Sequence, residues 1–305
     1  MEAIILGTAA MAPLPGRGLS SLAVRCDPTG ELLLFDCGEA TQVQFRRADL
    51  SWNRVSRIFL SHTHADHVTG LPGLLMLMSQ CEREAELEIY GPAPTVEYLR
   101  SMSILQPHLG YPITAYEIDS PGVLVEGEGY TVSCEAGHHR RPCYGFRVQG
   151  AERPGQFDAD AAGRLGIPDG PERAMLVAGQ PVRLPDGTMV EPERVVGPTR
   201  PGPSVVYITD TVPVVELVEL ARECTLLVCE GLYGPGHDEG AAEKMHMTIA
   251  EAAQLAAEAG ARMLRTVHIS QRYTDDDLPE LDTYLRGLFA EGAVGRDLER
   301  IPVTA

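Results

Sequence analysis

The run from His62 to His67 reads His-Thr-His-Ala-Asp-His and follows Ser61 and the mainly apolar run 57–60. The apolar residues predict a buried strand, and the polar run begins at its carboxyl end. In an extended segment residues i and i+2 point the same way, so the first two histidines can hold one metal ion. Asp66 and His67, past the turn, can reach a second ion. Three imidazoles and a carboxylate within six residues therefore predict a metal site rather than a solvated polar loop.

Two metal ions need further ligands, and suitable residues stand at the ends of later apolar runs. His139, Asp210 and His268 each follow such a run. Alone, His139 would more often be a surface residue and Asp210 a turn or cap residue. Together with the histidine run we expect them to form a ligand set, because functional side chains of α/β proteins gather at strand ends. Glu230 also ends an apolar run and His246 precedes a helix start, so this pair can meet at the same sheet edge.

The pattern of strands and helices predicts an α/β fold. Thr248 to Glu251 reads as a capping box that opens an alanine-rich helix, and this helix is expected to stop at Gly260. Two further helices are predicted over 73–79 and 95–102. Strands are predicted over 3–6, 13–18, 20–25, 32–36, 57–60, 86–90, 204–208, 225–228 and 263–267.

Residues 150–203 differ in composition from the rest of the chain. They are rich in glycine, proline and arginine, with turn signals at 168–171 and 185–187. We interpret this segment as an irregular arm inserted into one domain that spans residues 1–305.

Composition excludes several classes of protein. No apolar run approaches the roughly 18 to 20 residues of a bilayer span, so a membrane protein is not expected. The first residues lack a basic signal-peptide start, and the seven cysteines form no CxxC pair, so we expect reduced thiols and a cytoplasmic location. A net charge of -18 argues against DNA binding, and any contact with nucleic acid must be local. Lys244 is the one lysine among 25 basic residues.

The histidine run resembles the HxHxDH signature of the metallo-β-lactamase superfamily, and other segments resemble its ribonuclease Z family. The similar segments extend over nearly the whole chain. They are Leu6-Gly7-Thr8, Ser20-Ser21, Phe35-Asp36-Cys37-Gly38-Glu39-Ala40-Thr41-Gln42, Gly70-Leu71-Pro72-Gly73-Leu74-Leu75, Ile89-Tyr90-Gly91-Pro92, His246-Met247-Thr248 and Thr266-Val267-His268-Ile269-Ser270-Gln271-Arg272-Tyr273.

The resemblance implies a role for each matching residue. One zinc ion would be held by His62, His64 and His139, the other by Asp66, His67 and His268, with Asp210 bridging the two. Asp66, Glu230 and His246 would take part in catalysis, with the last two forming the proton donor. Asp36 is expected to fix a liganding histidine.

The resemblance also implies an architecture and a substrate. The family fold is a four-layer αβ/βα sandwich with an extruded arm, and its members are usually homodimers. The arm of the family holds the tRNA elbow through a Gly-Pro element, which Gly170-Pro171 resembles. The arm here departs from the usual basic composition, since 151–200 contain six arginines and eight acidic residues.

The sequence therefore favours a two-metal phosphodiesterase, with zinc or manganese, that removes the 3′ trailer from precursor tRNA. One alternative is a hydrolase of the same fold that acts on a small phosphodiester, an arylsulfate or a thioester. An alternative of another class is a non-catalytic binding protein built on this fold.

Overall fold

A computed structural model describes residues 1–104 and 108–305, without the side chains of residues 103, 238 and 239. The chain divides into two compact units. The first comprises Met1–Gln149 and Pro203–Thr304, and the second comprises Gly150–Gly202 with Ala305. In the described part of the chain, no helix combines the length and the apolar character needed to cross a lipid bilayer.

Two seven-stranded sheets form the framework of the first unit. The first sheet has the order β16-β1-β2-β3-β4-β5-β6 and the second has the order β15-β14-β13-β12-β9-β8-β7. The strands of the first sheet are β1 (Glu2–Gly7), β2 (Ser21–Cys26), β3 (Glu31–Phe35), β4 (Val55–Phe59), β5 (Leu87–Gly91), β6 (Ile113–Glu117) and β16 (Arg300–Pro302). Those of the second are β7 (Gly122–Gly127), β8 (Tyr130–Ala136), β9 (Tyr144–Gly150), β12 (Ser204–Ile208), β13 (Leu226–Glu230), β14 (Met263–Val267) and β15 (Gly292–Val294).

Helices cover the outer face of each sheet, while apolar side chains fill the space between the sheets. The central layer contains Phe35, Phe59 and Phe146, all of them fully buried. The helices of this unit are α1 (Thr41–Arg47), α2 (Ala65–Val68), α3 (Leu71–Gln80), α4 (Thr95–Ser101), α7 (Val215–Leu220), α8 (Asp238–Lys244), α9 (Ile249–Ala259) and α10 (Leu278–Leu288). Helices α1 and α3 pack on the first sheet, and α7, α9 and α10 pack on the second. The predicted four-layer αβ/βα sandwich is confirmed.

Most predicted elements are present, with shifted ends. The capping box of α9 is formed, and Gly260 ends this helix with φ +68°, as expected. The strand predicted over 13–18 is wrong: these residues form turns with a single bridge between Leu14 and Arg17. Two prolines in this stretch have no N–H group to donate to a strand ladder, which explains the difference.

The second unit is more regular than its composition suggested. It contains α5 (Ala159–Arg164), α6 (Pro171–Val177) and a two-stranded ladder of β10 (Val182–Arg183) and β11 (Met189–Val190). Pro171 begins α6, where its missing N–H costs nothing, and Gly170 precedes it. A small core holds the unit together, made of Ala162, Ile167, Leu176, Val182, Leu184, Val190 and Val195.

Candidate metal centre

The candidate ligands follow strands of both sheets at one edge. His62 and His64 come after β4, and His139 lies in the connection from β8 to β9. Asp210 and His268 follow β12 and β14. Since β12, β13 and β14 run parallel, their carboxyl ends lie side by side. Side chains far apart in the chain therefore meet at one place.

One group of ligand atoms comes from His62, His64, His139 and Asp210, and all of its atoms lie within 4.8 Å of one another. Oδ2 of Asp210 is 3.5 Å from Nε2 of His62 and 3.9 Å from Nε2 of His139. Nε2 of His139 is 3.3 Å from Nδ1 of His64. Three imidazoles and a carboxylate at this spacing can hold one metal ion.

A second group comes from Asp66, His67 and His268, again within 4.8 Å. The other carboxylate oxygen of Asp210, Oδ1, lies 3.2 Å from Nε2 of His67 and 3.3 Å from Nε2 of His268. Asp210 thus directs one oxygen to each group, which is the geometry a bridging ligand needs.

The chemistry of these side chains suits transition-metal ions. Nε2 of His62 is buried and has no hydrogen-bond partner among the described residues, and Nε2 of His67 is buried with the Asp210 carboxylate 3.2 Å away. A buried polar atom without a partner is costly, and coordination to a metal ion would remove that cost. Nitrogen and carboxylate ligands are also the donor set that zinc and related ions prefer.

The protonation states agree with a site for cations. Burial lowers the pKa values of His64, His139 and His268, and that of His62 lies well below its ordinary value. These four imidazoles are therefore neutral and able to coordinate. Burial would also lower the pKa of His67, but the nearby carboxylates of Asp210 and Asp36 raise it well above its ordinary value. A proton on His67 then supplies positive charge that a metal ion would otherwise provide.

The Asp36 carboxylate accepts hydrogen bonds from three residues, one of which is the candidate ligand His67. Its Oδ2 accepts a hydrogen bond from Nδ1 of His67 at 2.7 Å, from the Ser61 hydroxyl at 2.8 Å and from the Tyr207 hydroxyl at 2.9 Å. Its Oδ1 accepts from the backbone N–H of Ser61 at 2.7 Å. These bonds fix the ring of His67 so that Nε2 faces the site.

Three site residues adopt left-handed backbone conformations. Asp36, Asp210 and His268 have φ values of +55°, +47° and +55°. Each lies just after a strand, and the left-handed turn redirects its side chain toward the site. Such conformations are uncommon outside glycine, and they concentrate at functional sites.

Glu230 and His246 meet beside the ligand groups. Nδ1 of His246 lies 2.9 Å from Oε2 of Glu230, and Oε1 of Glu230 accepts the backbone N–H of Thr211 at 2.6 Å. Burial raises the pKa of Glu230. Burial opposes protonation of His246, yet Glu230 raises the pKa of His246 to about 9. The pair is therefore a buried carboxylate that keeps an imidazole protonated.

Sequence reasoning did not find several supporting contacts. The backbone N–H of Met11 donates to Oδ2 of Asp66 at 2.9 Å, and Ser20 Oγ lies 2.8 Å from Nδ1 of His268. Nδ1 of His139 donates to the carbonyl of Met245 at 2.9 Å. A backbone donor leaves no trace in the sequence. Ser20 belongs to the segment Ser20-Ser21 that resembles the family, and this resemblance was the one sign of its role in the sequence.

Comparison with known proteins identifies the family. Ribonuclease Z of Treponema pallidum is 42% identical over 304 residues, which cover 99% of this chain and 97% of that protein. The crystal structure of the short form of human tRNase Z is 26% identical, with a TM-score of 0.73 and complete coverage of both chains. Bacillus subtilis YhfI, described as a metallo-β-lactamase fold protein, has a TM-score of 0.68 at 19% identity, with 99% of each chain covered.

A family profile described as "Anti-Pycsar protein Apyc1" matches residues 19–111, which include the histidine run but less than half of the chain. The ribonuclease Z relatives match almost every residue, and the level of identity is well above what shared fold alone would give. The chain therefore belongs to the ribonuclease Z family of hydrolases and has the metallo-β-lactamase fold.

Proposed function

We propose that this chain is a metal-dependent endoribonuclease that removes the 3′ trailer from precursor tRNA. The observation that carries the proposal is the seven-residue ligand set beside the Glu230–His246 pair, in a chain that matches ribonuclease Z proteins from end to end. Small-substrate hydrolysis is not favoured by these relatives. A non-catalytic binding role gives no reason to bury so many ligand-type side chains.

The proposed cofactor is two zinc ions per chain, or manganese ions in their place. His62, His64 and His139 would hold one ion, and Asp66, His67 and His268 the other, with Asp210 between them. When bound, two such ions lower the pKa of a water molecule, hold phosphate oxygens and offset negative charge in the transition state.

The proposed catalytic residues of the chain itself are Asp66, Glu230 and His246. The Asp66 carboxylate faces the site and is fixed by the N–H of Met11, so it can orient a water molecule by accepting its hydrogen bond. His246 is held protonated by Glu230 and can donate a proton to the departing ribose 3′-oxygen. Asp36 acts indirectly, by fixing the ring of His67.

The proposal includes a tRNA-docking segment, a homodimeric state and a cytoplasmic location. The segment 150–203, with Gly170 and Pro171 before and at the start of α6, would dock the tRNA away from the cleaved bond. We infer a homodimer. Seven free cysteines, six of them buried, are consistent with a cytoplasmic protein, where thiols stay reduced.

One incubation tests the proposal. Labelled precursor tRNA should be cut at a single position near its 3′ end, and a chelator should abolish the cut while added zinc restores it. Hydrolysis of a small phosphodiester or thioester without any cleavage of precursor tRNA would contradict the proposal and favour the small-substrate alternative.

A further inference from the structure

The one lysine of the chain lies beside an arginine at the rim of the candidate site. Lys244 Nζ donates to the hydroxyl of Tyr233 at 2.8 Å and lies 5.5 Å from the centre of its ring. The guanidinium carbon of Arg272 is 4.3 Å from the same ring centre. Tyr233 is only 2% exposed, whereas both cationic residues are exposed. A buried aromatic ring thus holds two cations at the surface.

The same three segments that carry catalytic and ligand residues build this cluster. Tyr233 is three residues after Glu230, Lys244 is two before His246 and Arg272 is four after His268. Backbone hydrogen bonds join these segments side by side: the N–H of Leu232 donates to Met247 at 2.9 Å, and that of Ser270 donates to Leu232 at 3.0 Å. The cluster therefore adjoins the site.

Among the described side chains, which do not include those of residues 238 and 239, neither Lys244 nor Arg272 forms an ion pair with a carboxylate. Many arginines are paired with carboxylates, such as Arg57 with Glu31 and Arg296 with Asp282. Lys244 and Arg272 have instead the contacts to Tyr233, and Arg272 Nη1 lies 3.2 Å from Nδ1 of His237. Two like charges on one ring repel each other, and an anion bound between them would relieve that repulsion.

We propose that Lys244 and Arg272, presented by Tyr233, form a subsite for the backbone phosphate of the RNA on the 5′ side of the cleaved bond. The proposal rests on the function proposed above. A guanidinium stacked on an aromatic face keeps its N–H edge free for phosphate oxygens, and the ammonium group keeps two protons after donating to Tyr233.

His246, the proposed proton donor, indicates on which side of the cleaved bond the bound phosphate lies. His246 protonates the 3′-oxygen that stays with the upstream nucleotide, and Lys244 is two residues from His246. On the proposed assignment, the phosphate next along the RNA on that side contacts the cluster. This subsite also explains how a chain with a net charge of -18 and a net acidic arm can hold RNA, namely through a few local cations.

Single variants Lys244→Met and Arg272→Met test the subsite. Each should lower kcat/KM on precursor tRNA about 10-fold, the loss expected for one charge-assisted hydrogen bond. The loss on a small phosphodiester such as bis(p-nitrophenyl) phosphate should be clearly smaller. Arg262→Met is the matched control, because Arg262 is an exposed arginine at the opposite end of β14 from His268. It should cleave precursor tRNA at the wild-type rate.

An uncharged methylphosphonate in the RNA identifies the phosphate. Placed one nucleotide upstream of the cleaved bond, it should slow the wild type but slow the Lys244→Met/Arg272→Met double variant little further. If the upstream methylphosphonate slows the double variant as much as it slows the wild type, the assignment is overturned. The assignment is also overturned if only a downstream methylphosphonate slows the double variant less than the wild type. Equal losses on RNA and on the small diester would also overturn it, since they indicate a damaged metal centre. A wild-type protein that hydrolyses the small diester but no RNA would instead refute the proposed function.

Discussion

Glu230 and His246 form a buried hydrogen bond of 2.9 Å between Oε2 and Nδ1, and the Glu230 carboxylate raises the pKa of His246 to about 9 although burial opposes protonation. Nδ1 of His246 also lies 3.9 Å from Oδ2 of Asp210, and His246 forms a third group of ligand-type side chains with Asp210 and His268. Because Nδ1 of His246 is bonded to Glu230, which keeps the ring protonated, the pair suits a group that donates a proton.

His246→Ala should therefore lower the rate on precursor tRNA by roughly 10² to 10⁴, the usual range for general acid catalysis, while both metal ions remain bound. A nitrophenyl phosphodiester, whose leaving group needs no proton, should lose much less. Equal loss on both substrates would argue against a proton-donor role.

The pH dependence of cleavage should show the influence of Glu230. His246 acts in its protonated form, so activity is present below its pKa and is lost as pH rises through it. Glu230 raises that pKa. Glu230→Gln removes the negative charge, so the alkaline limb of the kcat/KM profile should move to lower pH. A limb that stays in place would show that another group controls it.

Asp210→Ala should abolish cleavage and reduce the bound metal, because this carboxylate directs one oxygen to each ligand group. Metal content can be measured by plasma emission spectroscopy on purified protein. His138→Ala is the matched control: this residue is the exposed neighbour of His139 and should retain two ions. Two ions per chain in Asp210→Ala would refute the bridging assignment.

Asp36→Ala should weaken metal binding about 10- to 100-fold, the usual effect of losing a carboxylate that orients a liganding histidine. Competition with a chromophoric chelator would measure the change. Tyr207→Phe removes one of the four hydrogen bonds to Asp36 and keeps the one from His67, so its effect should be much smaller. A larger effect of Tyr207→Phe than of Asp36→Ala would contradict the role of Asp36 in fixing the ring.

Metal binding should release protons near neutral pH. The carboxylates of Asp210 and Asp36 raise the pKa of His67 well above its ordinary value in the metal-free protein, so coordination must displace that proton. Affinity should then increase as pH rises toward the pKa of His67. Calorimetry in two buffers of different ionisation enthalpy would count the protons, and no release would contradict the protonated state of His67.

The second unit can be removed at a defined place. Gln149 and Ser204 are register partners on the neighbouring strands β9 and β12, so a short turn can replace residues 151–202. The shortened protein should keep its metal ions and its activity on a small phosphodiester but lose most cleavage of precursor tRNA. Because the segment 151–200 is net acidic, the full-length protein should bind precursor tRNA with a shallow salt dependence, about -0.7 to -0.9 per phosphate contact.

Thermal unfolding would show whether the shortened protein is still folded. If it is folded and processes precursor tRNA at the full-length rate, the segment has no docking role.

The sequence by itself determined the features that rest on local order. His62 to His67 follow a strand within a few residues, so their shared position was readable from the two-residue period of an extended chain. The capping box of α9 and its glycine stop are likewise contacts between near neighbours. Strand ends could be read from apolar runs, which is why Asp210 and His268 were candidates at all.

Only the tertiary structure decided how distant residues meet. Asp36 accepts from Tyr207 across 171 residues, and His139 approaches His64 across 75. Such contacts depend on which strands pair and in which register, and on left-handed turns at Asp36, Asp210 and His268 that reorient single side chains. A hydrophobic pattern specifies that a strand is buried but not which strand lies beside it. The packing of the two sheets therefore decides that the two Asp210 oxygens face different ligand groups. It also decides that cations lie around Tyr233.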